Sequence, residues 1–202
     1  MAINTEQSEH FNSLVGKPSS NIRLALIENA ADVYPKDNQD WVIEHRIAIK
    51  NNGYSVDQIN LNKYLKNVSE LEEELKKFDA IWLGGGNTYY LRWILRESGA
   101  DQVITKLVTN GLVYGGGSAG AIVAGPTLKH FEEADDPNQA QEAIYDGLGL
   151  TEIVPVPHID NETYASVLEE AHTKLEHDGF QTAPLTDNQV LVIDGLGHQV
   201  IG

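Results

Sequence analysis

Apolar residues in this chain fall into short unbroken runs, separated by longer stretches in which they recur every three or four positions. The runs Ile22-Arg23-Leu24-Ala25-Leu26-Ile27, Asp79-Ala80-Ile81-Trp82-Leu83 and Leu112-Val113-Tyr114 read as strands apolar on both faces, the habit of a buried parallel sheet. Residues 39–52, with Trp41, Val42, His45, Ile47, Ala48 and Ile49, read as a helix closed at Gly53, and Ser55 to Ile59 as a short strand. A charged helix is predicted over 69–77, capped by Ser69 with Glu72 three positions on, and two more over about 88–97 and 101–109. Strand and helix thus alternate through the first 120 residues. That order predicts an α/β fold with a mostly parallel sheet and helices on both faces.

The pattern is weaker at the two ends. Residues 1–21 read as a polar leader, 126–131 as the start of a hairpin, and the acidic segment 132–142 as a surface loop. Residues 152–158 read as a strand that Pro155 confines to a sheet margin, and 162–178 as a polar helix. A last pair of strands, 189–193 and 198–201, turns at Asp194-Gly195 as a hairpin.

Composition narrows the function classes. A chain of 202 residues that is 41% hydrophobic suits one domain over 1–202. A formal charge of −16, with no run of Lys or Arg, argues against nucleic acid as a partner. There is neither an apolar stretch of the ~18–20 residues needed to span a bilayer nor a signal-peptide pattern, so a cytoplasmic protein without a membrane partner is expected. The absence of cysteine removes disulfides, thiolate metal sites and a cysteine nucleophile.

Candidate chemistry centres on Gly116-Gly117-Ser118-Ala119-Gly120, a Gly-x-Ser-x-Gly sequence between a strand and a small-residue helical segment. This is the arrangement of a nucleophile elbow, in which a serine on a strained strand-to-helix turn presents its hydroxyl above the sheet. A serine needs a base, and of the seven histidines only His158 falls at the carboxyl end of a predicted strand. Asp187, just before the strand 189–193, is the preferred acid; Asp160 is its rival, but a carboxylate two positions along the base's own extended segment is poorly angled toward the ring. Gly84-Gly85-Gly86 at another strand end offers bare backbone donors that pair with the N–H of Ala119 as an oxyanion hole. The competing reading of those glycines, a phosphate cradle, has neither a Walker lysine nor Gly-x-Gly-x-x-Gly spacing behind it.

Taken together, Gly84-Gly85-Gly86-Asn87-Thr88, Tyr114-x-Gly116-x-Ser118-Ala119-Gly120-Ala121, Pro157-His158 and Leu185-Thr186-Asp187-x-Gln189 resemble the peptidase E and cyanophycinase family of serine peptidases over about residues 22–202. The resemblance implies a glutamine-amidotransferase-like, flavodoxin-like three-layer fold and hydrolysis of small peptides, as a dipeptidase, through an acyl-enzyme on Ser118. It also implies His158 as base, Asp187 as acid, Gly85 and Ala119 as oxyanion donors, Asn87 as a substrate contact, no metal or other cofactor, and a monomer or homodimer.

Two features depart from the family pattern. The aspartyl dipeptidases carry an arginine soon after the histidine, whereas 159–171 here holds Asp160, Glu162, Glu169 and Glu170 and no basic residue. Residues 1–12 lack the family's short apolar first strand, with only Met1, Ala2, Ile3 and Phe11 apolar. The alternative reading is a catalytically degenerate member that binds a small ligand.

Overall fold

The computed structural model describes residues 5–202. Its centre is a four-stranded, wholly parallel sheet of β1 (Arg23–Ile27), β2 (Ser55–Gln58), β3 (Ala80–Leu83) and β4 (Val113–Gly116), in the order β2-β1-β3-β4. Register pairs Leu24 with Ala80 and Leu83 with Gly116. Because side chains alternate across a strand, β1 feeds two cores. Leu24 and Leu26 face α1 (Thr5–Val15) and α2 (Asp40–Asn51), where they join Phe11, Ile49 and Tyr54. Ala25 and Ile27 face the opposite layer, built from α3 (Val68–Leu75), α4 (Thr88–Ser98), α5 (Ala100–Thr109), the short α6 (Ala119–Ile122) and α7 (Ala165–His177). Both faces of the sheet are covered, giving the three-layer α/β arrangement.

Two smaller strand pairs complete the fold. β5 (Ile153–Val156) runs parallel to β6 (Gln181–Pro184), and β7 (Val190–Asp194) with β8 (Gly197–Ile201) forms an antiparallel hairpin.

Several local expectations are corrected. The leader is not merely polar: residues 5–15 are helical, and Phe11 packs edge-on against Trp82 and Tyr54. The expected first-strand departure falls partly on residues 1–4, outside the described residues. Ser69 does not cap α3, which begins a residue earlier; Asn67 precedes it and donates from its side chain to Glu70. Residues 126–131 form no hairpin, only a single antiparallel bridge, Thr127 to Asp146. β6 was not expected at all, because Gln181-Thr182-Ala183-Pro184 has no apolar run to announce it.

Candidate active site

The elbow is built by close backbone packing. Ser118 sits at φ 53° and ψ −119°, a strained conformation for a residue with a side chain. It is held there because α6 begins at Ala119 and its first N–H groups turn back on the elbow: Ala121 and Ile122 donate to the Ser118 carbonyl at 2.8 and 3.0 Å. The flanking glycines are steric necessities. A Cβ at Gly116 would lie 2.3 Å from the Gly120 oxygen, and one at Gly120 would lie 2.1 Å from the Leu83 oxygen. The Tyr114 hydroxyl donates to that Gly120 carbonyl at 2.5 Å, tying strand to helix beneath the serine.

Neighbouring strand ends bring the other groups in. β3 and β4 are paired, so the turn after Leu83 lies beside the elbow, and a Cβ on Gly85 would stand 3.0 Å from Ser118 Cβ and 3.5 Å from its Oγ. Neither the Gly85 nor the Ala119 N–H has a backbone acceptor among the described residues. Both are therefore free to meet a ligand oxygen.

His158 and Asp187 come from the ends of β5 and β6. The Leu185 N–H donates to the Val156 carbonyl at 2.8 Å and the Ile159 N–H to the Leu185 carbonyl at 3.2 Å, which aligns the two segments beyond their strands. His158, itself at φ 64°, then places Nδ1 2.5 Å from Asp187 Oδ1. Asn161 donates to the other Asp187 oxygen at 3.3 Å. Burial pushes the Asp187 carboxyl up, but the hydrogen bonds from His158 and Asn161 outweigh it and leave the group below its ordinary value. Asp160 stands one step back: its Oδ1 accepts the Asp187 backbone N–H at 2.8 Å.

Ser118 and His158 line one cleft of about 400 Å³, together with Gly85, Tyr34, Trp41, His45, Asp135 and Tyr164. The side-chain hydrogen bonds among the described residues do not include one between Ser118 and His158, whose Nδ1 is engaged by Asp187. An apolar cavity of about 490 Å³, lined in part by Phe11, Trp82, Tyr114, Leu150 and Val190, also reaches Ser118.

Asn87 anchors the turn after β3. Its buried amide caps α4, accepting from the Tyr90 N–H at 2.8 Å, and donates to the Asp136 carbonyl at 3.0 Å.

Two cleft residues escaped sequence reasoning. Asp135, in the segment expected to be a surface loop, turns inward and accepts from the Thr88 N–H at 3.0 Å and hydroxyl at 2.5 Å. Burial pushes its carboxyl up, partly offset by the Thr88 bonds and by His158. The acidic residues around it masked that role. His45, read as lying on a helix far from any strand end, lines the cleft as well. Its signal was a histidine among the apolar positions of a helix facing the sheet.

Among the described residues, no Lys or Arg lines the cleft. Arg23 pairs with Asp57 at 3.2 Å, and Arg92 with Asp101 at 3.1 Å and the Asp146 carbonyl at 2.8 Å. Among the described residues, no three His, Asp or Glu side chains are grouped to hold a metal ion, and no helix is long and apolar enough to cross a membrane.

A strained serine on a strand-to-helix turn, in a three-layer α/β fold, is an arrangement shared by a large class of hydrolases. Comparison with known proteins narrows this to one family. Residues 2–201 match the sequence model of peptidase family S51, and the chain belongs to that family. It is similar to an uncharacterized peptidase, Lmo0363, of Listeria monocytogenes, with 27% identity over 73% of this chain and 71% of that protein. It is also similar to the peptidase E of a Nostoc species, 35% identical over 54% of this chain and 41% of that one. A crystal structure of a candidate peptidase E protein from Listeria monocytogenes superposes with a TM-score of 0.82 at 23% identity, covering 96% of this chain and 92% of the other, and supports the fold. The protein is a serine peptidase of the peptidase E type.

Proposed function

We propose that the protein is a dipeptidase that cleaves small peptides through an acyl-enzyme on Ser118. His158 accepts the Ser118 proton as the hydroxyl attacks the scissile carbonyl, and the tetrahedral oxygen is held by the Gly85 and Ala119 N–H groups. His158 then returns the proton to the leaving amine, and water repeats the sequence to release the acyl group. Asp187 fixes the imidazole tautomer and stabilises the imidazolium.

The observation that carries this reading is the His158–Asp187 pair at 2.5 Å, whose histidine lines the cleft that also holds Ser118 and Gly85. The cleft's lining supports the dipeptide scale: among the described residues Asp135 is the one acid there, and no Lys or Arg lines it. Such a group suits a free α-ammonium. The test is hydrolysis of a free dipeptide series and of N-acetylated counterparts by wild type and Ser118→Ala. Hydrolysis of the free peptides alone, abolished in Ser118→Ala, is expected; equal cleavage of the acetylated peptides would remove the role given to Asp135.

A further inference from the structure

His45 carries a feature that the acyl-transfer machinery does not use. It sits on α2, whose Val42 and Ile49 are buried and whose Arg46 is fixed by Glu28 at 2.8 Å, so the ring has a firm base. The imidazole packs on Trp82 with ring centroids 6.0 Å apart, is 8% exposed, and leaves Nε2 buried without a hydrogen-bond partner. Buried polar atoms in folded proteins are ordinarily paired, and a phenylalanine or leucine would cover Trp82 without the penalty. The unpaired nitrogen belongs to a residue that lines the cleft shared by Ser118, Gly85 and His158.

Resting on the peptidase reading above, we infer that His45 is a specificity residue of this cleft, whose Nε2 hydrogen-bonds an uncharged carboxamide, that of asparagine or glutamine, on the N-terminal residue of the substrate. Three observations choose that group. Burial lowers the imidazole to about 4, so it is neutral at ordinary pH and offers Nε2 either as donor or as acceptor. A carboxamide has both an N–H and a carbonyl, and so matches either tautomer. A carboxylate would enter a cleft whose lining, among the described residues, has no Lys or Arg and already includes Asp135. An aliphatic side chain would leave Nε2 unpaired.

The experiment is a comparison of kcat/KM for Asn-Leu, Gln-Leu, Asp-Leu and Leu-Leu with wild type, His45→Phe and His45→Gln, each checked for folding by circular dichroism. A site built to hydrogen-bond a substrate group discriminates strongly against the analogue without it, so wild type is expected to prefer Asn-Leu or Gln-Leu over Leu-Leu by about 10-fold or more. That ratio should fall to about 1 in His45→Phe and recover in part in His45→Gln. An unchanged ratio in the folded His45→Phe protein, or a wild-type preference for Asp-Leu over both amides, overturns the inference. If wild type cleaves none of the four and Ser118 is not labelled by a fluorophosphonate, the peptidase reading itself fails and this inference with it; cleavage without amide preference sinks the inference alone.

Discussion

His158 Nδ1 and Asp187 Oδ1 lie 2.5 Å apart although 29 positions separate the two residues. The pairing is a consequence of β5 and β6 running parallel, with Val156 opposite Pro184, so that two short extensions past the strand ends meet. Asp160 supports the acid from behind by accepting its backbone N–H.

This geometry predicts an order of mutational effects. Asp187→Asn keeps the shape but removes the charge that holds the imidazole tautomer, and should lower kcat by about 100-fold or more. Asp160→Ala loosens only the backbone of the acid and should cost about 10-fold or less. Steady-state kinetics on one dipeptide decide it, and the reverse order would move the acid's role to Asp160.

The elbow glycines give a stability prediction. A methyl group at Gly120 would meet the Leu83 carbonyl at 2.1 Å, a contact that only backbone movement can relieve. Gly120→Ala should therefore lose about 2–3 kcal/mol or fail to fold, as overpacking against rigid neighbours does. Gly195, with nothing near its would-be Cβ and no positive φ, should accept alanine with a change within about 0.5 kcal/mol. Urea denaturation of both variants is the measurement; equal effects would mean that the elbow is more pliant than its packing indicates.

The central sheet and the elbow were legible in the sequence because they rest on local signals. Ala80 to Leu83 and Leu24 to Ile27 are apolar on both faces, and Gly116 and Gly120 flank a serine at the spacing that close strand–helix packing demands. His158 and Asp187 could be nominated from their places near strand ends, though β6, the strand that delivers Asp187, could not. Its four residues are held by pairing with β5, a long-range interaction with no local periodicity. Asp135 and His45 were missed for a similar reason. An acid in an acidic loop and a histidine on an amphipathic helix acquire their meaning only when Thr88 and Trp82 are brought beside them.

His45 also makes the fold sensitive to acid. Its folded value, lowered to about 4 by burial, lies below the 6.5 of the free imidazole, so the unfolded chain binds more protons between those values. Stability therefore falls as pH drops from 6.5 toward 4, by about 2 kcal/mol at pH 4.5, and is insensitive to this group above neutrality. His45→Phe should lose less stability than wild type between pH 7 and 4.5 in urea titrations. Parallel losses in the two proteins would show that the imidazole is solvated and protonates freely.

The charge of the cleft sets the remaining expectation, which concerns anionic substrates. Residues 159–171, which follow the histidine, contain no Lys or Arg to serve a substrate carboxylate. The basic residues elsewhere do not substitute: Arg23 and Arg92 are paired with Asp57 and Asp101, and neither they nor Lys129 line the cleft. A carboxylate bound there would lose its hydration without gaining a Lys or Arg partner among the described residues, next to Asp135 and on a protein of formal charge −16. Asp-X dipeptides should therefore be cleaved no better than matched neutral or basic ones, and raising salt should narrow any deficit by screening the long-range repulsion. Measuring kcat/KM for Asp-X, Asn-X and Lys-X at two ionic strengths checks both statements. A clear Asp-X preference would require a cation to enter the cleft when substrate binds, with Arg23, Arg92 and Lys129 as the side chains to substitute first.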